Sequence, residues 1–131
     1  MESLSDVPSR ESAPLTARFP GRLWFRDAGR TVGVEIQEID WIEAAGNYVQ
    51  IYTARRTHLI RHTVKAMQAK LDPERFVRVR PSAIVHVERV ARLTHRPGGE
   101  YLITLADGTQ IPSSRGFRGD VERVLVHRNG R

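Results

Sequence analysis

The sequence predicts a mainly β domain with one short internal helix and a short C-terminal helix, and three observations carry that prediction. From Leu23 onward apolar residues recur with a period near two, the spacing that places alternate side chains on one face of a strand. Clusters with turn chemistry, Asp27-Ala28-Gly29, Ala45-Gly46-Asn47, Pro97-Gly98-Gly99 and Asp107-Gly108, separate those runs. Only two stretches break the rhythm, and both carry helical spacing. A chain of 131 residues with 40% hydrophobic content can bury one modest core, so a single domain is expected.

Residues 1–21 mix Ser, Pro, Glu and Arg without periodicity and read as a flexible tail closed by Pro20-Gly21; the domain is expected over residues 22–128. Strands follow at Leu23 and Phe25, at Val32, Val34 and Ile36, at Ile39 and Trp41, at Val49 and Ile51, and at Leu59. The run from Thr63 to Leu71 is helical: Val64, Met67 and Leu71 share a face, and Asp72-Pro73 stops it. Phe76, Val77 and Val79, then Ile84, Val85 and Val87, pin a pair of short strands, with Arg78, Arg80 and Ser82 projecting from the turn between them. Tyr101, Ile103 and Leu105 form a clean alternating strand. The last helix runs from about residue 117 to 126, with Val121, Val124 and Leu125 inward, Arg118, Asp120, Glu122 and Arg123 outward, and Ser113 or Ser114 as its cap. There is no repeat at solenoid spacing and no low-complexity segment beyond the tail.

Charge points to an acidic partner. Net charge is +6 and the isoelectric point about 10.7, which favours nucleic acid first, an anionic membrane surface second and an acidic protein third. The excess is local: between residues 75 and 96 six arginines face a single acid, Glu88. Arginines fixed at a turn suit phosphate oxygens and base edges. Absence of cysteine excludes disulfide scaffolds, thiolate zinc sites and cysteine nucleophiles. No apolar run approaches the roughly 20 residues that cross a bilayer, and the N-terminus lacks a secretion signal. A soluble, cytoplasmic protein that engages no membrane is expected.

The order Ile39-Asp40-Trp41-Ile42-Glu43-Ala44-Ala45-Gly46-Asn47-Tyr48-Val49, then the helix, then Phe76-Val77-Arg78-Val79-Arg80-Pro81-Ser82-Ala83-Ile84-Val85-His86, then Leu105-Ala106-Asp107-Gly108 and Ile111-Pro112-Ser113-Ser114-Arg115, resembles the LytTR family of bacterial DNA-binding domains. The likeness covers roughly residues 22–126. It implies an elongated fold of stacked, mainly antiparallel sheets whose loops, rather than a recognition helix, enter successive major grooves of bent duplex DNA. Carried onto this chain, the base-reading positions fall on Asn47 or Tyr48, on Arg80 and Pro81, and on Arg115. Arg78, Ser82, His86, Ser114 and Arg118 become phosphate or supporting contacts. Double-stranded DNA with tandem half-sites, and so two protomers on DNA, is the implied partner; the expected protein is a sequence-specific transcriptional regulator that needs no cofactor and takes no small-molecule substrate. Two departures stand out: His86 replaces the family's usual asparagine, and Pro81 precedes the serine. Pro81 has no N–H to donate, so it can only stiffen the turn or touch a thymine methyl, and reading at that loop passes to Arg80.

Each of these residues has a plainer role open to it. Arg115 can be an exposed first-turn residue, although there it opposes the helix dipole, a conflict an external anion relieves. Arg78 and Arg80 can be solvated strand arginines, Asn47 can simply supply a positive φ, and His86 can make a strand-end hydrogen bond. Tyr48, Trp41 and Phe76 are expected in the core. No enzyme is expected. His58 and His62 flank a strand-like pair, where their spacing separates them as metal ligands, and no metal site is expected. The acids Glu35, Glu38, Asp40 and Glu43 lack a nucleophile or histidine partner, and face solvent or pair with arginines. The competing class is a basic protein–protein interaction module with an acidic partner and only non-specific DNA affinity. A single-strand or RNA binder is a further rival; it needs aromatics exposed on a sheet face, whereas here they are expected to alternate inward.

Overall fold

The computed structural model describes residues 19–127, so most of the tail assigned to residues 1–21, and residue 128, lie outside the described residues. β1 (Arg22–Asp27) and β2 (Arg30–Glu35) form a two-stranded hairpin. Its turn is two residues long with Ala28 at φ 52° and Gly29 at φ 82°, the positive-φ pair that matches the twist of flanking strands. A central antiparallel sheet is ordered β5-β4-β3-β7-β6, built from β3 (Ile39–Ala45), β4 (Tyr48–Thr53), β5 (Thr57–Ile60), β6 (Phe76–Arg80) and β7 (Ala83–His86). Between β5 and β6 lies α1 (Val64–Lys70), capped by Thr63 Oγ1, which accepts from Ala66 N at 3.0 Å. A third sheet, ordered β10-β9-β8, contains β8 (Val90–Arg96), β9 (Glu100–Leu105) and β10 (Gln110–Pro112). The chain then enters α2 (Arg118–Val121), which widens into a π-type turn over Glu122–His127.

The central sheet is covered on both faces. On one, Ile42, Val49, Ile51 and Ile84 pack against Leu23, Phe25 and Val34 of the first hairpin, Val64 and Met67 of α1, and Leu71 just after it. On the other, Val77, Val79 and Val85 meet Tyr101, Ile103 and Leu105, with Val121, Val124 and Leu125 closing the layer. This explains the unbroken burial of Ala83, Ile84, Val85 and His86 in β7, since a strand covered on both faces has no wet side. Each such aliphatic side chain contributes about 1.5–3 kcal/mol on burial.

Several expectations need correction. Leu59 is 49% exposed and Ile60 is the buried residue of β5, because the edge strand takes its phase from the pair Val49↔Ile60. Ile36 and Val87 lie in 3-10 turns leading into β3 and β8 rather than in strands. Strands β8 and β10 escaped the periodicity reading: β8 is an edge strand with little buried surface, and β10 has only three residues. Tyr48 is 39% exposed and not core, whereas Phe76 is buried and Trp41 half-buried, stacked on Tyr52 at 4.6 Å. The inward alternation of aromatics also fails at Trp24, 61% exposed on the outer face of the first hairpin. Its indole lies over Gly33, where a Cβ would come within 2.9 Å of the ring, so the ring covers strand backbone that a glycine leaves bare.

Candidate nucleic-acid interface

Register decides which turns come together. β3 and β7 pair antiparallel with Glu43 opposite Ala83, and Ala44 N donates to Ser82 O at 2.8 Å. The β3–β4 turn at Gly46-Asn47 and the β6–β7 turn at Pro81-Ser82 therefore project from the same end of the central sheet. The third sheet joins them there: Ser114 N donates to Val79 O at 2.9 Å, and Ser113 exchanges hydrogen bonds with Tyr101, its N donating to Tyr101 O and its Oγ accepting from Tyr101 N. Ser113 is thus a buried clamp. Ser114 holds the N-cap backbone position of the turn Arg115–Phe117 but makes no side-chain cap, so neither serine caps as expected.

Arg80 binds the loops to one another. Its Nε donates to Ser82 Oγ, Nη1 to Pro112 O and Nη2 to Glu43 Oε2, each at 3.2 Å. A register shift between Arg78 and Arg80, with Arg78 opposite Ile84 and Arg80 opposite Ala83, sits at this point; bulges of this kind re-aim a side chain. All three guanidinium nitrogens are engaged, which is at odds with Arg80 as a free base reader. Arg78 is held through two of its nitrogens: Nη2 donates to Pro81 O at 2.7 Å, Nη1 to Gln68 Oε1 at 3.2 Å, and its guanidinium lies 5.6 Å from the Phe117 ring centroid. Together these arginines fix the Pro81-Ser82 turn from both sides.

His86, named above among the phosphate or supporting contacts, is turned into the fold. It is 0% exposed, its Nδ1 lies 2.7 Å from Ile39 O, and its ring stacks on Phe76 at 4.5 Å. That hydrogen bond ties the end of β7 to the start of β3. Burial holds its pKa below the ordinary 6.5, outweighing the opposite pull of the Ile39 hydrogen bond, and Nε2, without a hydrogen-bond partner, sits 3.9 Å from Glu88 Oε1. Asn47 does not carry the positive φ of its turn; Gly46 does, at 64°. That removes the backbone explanation for an asparagine at this exposed tip.

The exposed members are Asn47, Tyr48, Pro81, Arg115 and Arg118. Arg118 Nε donates to Glu122 Oε2 at 2.9 Å, and the same oxygen accepts from Tyr101 Oη at 2.6 Å, a pairing that pushes the phenol pKa up. The β8–β9 turn closes the edge: at Gly99, φ 84°, a Cβ would stand 2.7 Å from Arg118 Nη1. The fold sets this turn beside Arg115 and Arg118; the sequence marked Pro97-Gly98-Gly99 as a turn without tying it to the site. The acids pair with arginines, Glu35 with Arg22, Asp40 with Arg89 and Glu43 with Arg80. His62 packs edge-on against Phe25 at 5.6 Å, and among the described residues no group of three or more His, Cys, Asp or Glu is placed to hold a metal ion. Among them, too, no helix is long and apolar enough to cross a membrane.

Antiparallel sheets thus bring the turns at Gly46-Asn47, Pro81-Ser82 and Arg115 to one end of a mostly β domain. The model of the LytTr DNA-binding domain matches residues 29–125. The chain belongs to the LytTR DNA-binding domain family. It is similar to an uncharacterised response regulatory protein of Vibrio cholerae, 28% identical over 89 residues, covering 65% of this chain and 34% of that protein. It is also similar to a positive alginate biosynthesis regulatory protein of Pseudomonas aeruginosa, 30% identical over 94 residues (70% and 38%), and to the sensory transduction protein LytT of Bacillus anthracis, 23% over 92 residues (70% and 37%). The chain thus spans little more than a third of the length of these relatives. The fold matches that of a LytTr DNA-binding domain from a putative methyl-accepting/DNA response regulator of Bacillus cereus, with TM-score 0.73 and 15% identity over 82% of this chain and 98% of that one.

Proposed function

We propose that the chain reads duplex DNA sequence-specifically, as the DNA-binding part of a cytoplasmic transcriptional regulator. Membership of a DNA-binding family and the regulatory names of its relatives support the coarse reading. The observation that carries the finer one is the gathering of exposed Asn47, Tyr48 and Arg115 on one edge, from separate sheets, over a scaffold tied by Arg78 and Arg80. Arg115, whose side chain has no partner among the described residues, reads a guanine edge; Asn47 and Tyr48 enter a neighbouring groove. Arg118 and Ser114 contact phosphates, Pro81 offers apolar surface to a thymine methyl, and Ser82, Arg78 and Arg80 position the loop. One domain covers a half-site, tandem half-sites take two protomers, and bending adds selectivity at untouched base pairs. No cofactor and no catalytic group enter this scheme.

Competition binding at physiological salt between duplexes selected from the source genome and random duplex tests the proposal. A sequence reader prefers its selected site by about 10³-fold or more. Equal affinity for both would leave only non-specific charge attraction and reject the assignment.

A further inference from the structure

Resting on the duplex-DNA reading, we propose that the DNA-contacting edge continues past the loops onto a basic shelf, Arg26 and Arg30 at the tip of the first hairpin and Arg61 at the end of β5, which takes backbone phosphates flanking the base-reading contacts. Position is the first argument. β5 leaves the central sheet at Ile60, whose partner Val49 directly follows Tyr48, so Arg61 emerges beside Tyr48 at the reading end. The first hairpin starts at the opposite end: Ile36 N donates to Gly21 O at 2.9 Å, and a groove there is lined by Arg22, Glu35, Glu38 and Arg55 of the β4–β5 turn. From that base β1 runs along β5 until Phe25 meets His62, the residue after Arg61, with ring centroids 5.6 Å apart. The hairpin tip therefore comes out on the Arg61 side.

Charge is the second argument. Arg22, Arg75, Arg80, Arg89, Arg118 and Arg123 are each paired with a carboxylate. Arg26, Arg30 and Arg61 are exposed, and no side-chain hydrogen bond or ion pair among the described residues engages them. Only Asp27 stands among them, opposite Arg30 in the hairpin register and without an ion pair to it. The two-residue turn holds Arg26 and Arg30 on a short, fixed support rather than a long loop. Stacked sheets lie about 10 Å apart, a spacing of about three base-pair steps. Phosphates recur at every step of a duplex, and a guanidinium engages them whatever the sequence.

Affinity for a random-sequence duplex longer than the footprint, measured by fluorescence anisotropy across a salt titration, decides the matter. Arg26→Ala/Arg30→Ala is expected to make the slope of log K against log salt shallower by about two units, and Arg61→Ala by about one. Arg26→Lys/Arg30→Lys should keep the wild-type slope, as should Arg55→Ala at the opposite end. Wild-type slopes in the alanine variants, with circular dichroism unchanged, would overturn the shelf while leaving the DNA-binding function intact. An equal loss in Arg55→Ala would overturn it as well, since only overall charge would then matter. A wild-type protein with no salt-dependent affinity for duplex would remove the parent function and the shelf together.

Discussion

Arg115 and Arg80 are chemically alike and sit in opposite surroundings. Arg115 is exposed without a partner among the described residues, whereas Arg80 spends its three nitrogens on Ser82, Pro112 and Glu43. Arg115→Ala should therefore cost about 1–3 kcal/mol on the selected site and lower discrimination at one base position, with little effect on thermal stability. Competition binding against single-base operator variants checks this, and unchanged discrimination would take the role from Arg115. His86 makes a separate prediction. Its folded pKa lies below 6.5 through burial, so the unfolded chain binds the proton first, and the stability from keeping the ring neutral is present above that value and declines as pH falls through it. Urea midpoints at pH above and below 6.5 should therefore drop on acidification in the wild type and drop less in His86→Asn. Parallel pH profiles would show that this imidazole does not titrate on unfolding.

Among elements, the hairpins were the most legible. The turns Asp27-Ala28-Gly29, Gly46-Asn47, Pro97-Gly98-Gly99 and Asp107-Gly108 all stand where turn chemistry put them, because glycine at positive φ is a local requirement that leaves a local mark. The helix from Val64 was legible for the same reason, its apolar face and stop signal lying within one short stretch. What stayed hidden depends on distant neighbours. Strand β8 shows little alternation because only one side of one edge strand is covered, and the burial of His86 follows from Ile39, 47 residues away in sequence. The site was legible as a set of motif positions; the hydrogen bonds that hold Arg78 and Arg80 were not, since Gln68 and Pro112 come from other elements. The β8–β9 turn carries its own prediction. Gly99→Ala meets both a positive φ and the Arg118 guanidinium, so about 1 kcal/mol or more of stability should be lost and Arg118 displaced. A thermal melt together with a reduced salt slope for duplex binding checks both halves; a variant indistinguishable in both would show that the turn tolerates the side chain.

For the molecule as a whole, two apolar clusters share one central sheet, and β6 and β7 contribute to both. Phe76 and Ile84 belong to the cluster under the first hairpin, Val77 and Val85 to that under the third sheet. Sheets joined in this way rest on one shared support, the arrangement that the proposed reading of bent duplex by fixed loops calls for. The same sharing sets the order in which the fold opens. Removing either outer layer uncovers only one side of the β6–β7 pair, so its backbone amides can meet bulk water only when the entire domain comes apart. Deuterium should therefore enter last at Val77, Ile84 and Val85, at a rate set by global unfolding, while β8 and the hairpin tips fill early. Uptake at Val85 as fast as in β8 would mean that the layers part independently and that the edge is not a single rigid body.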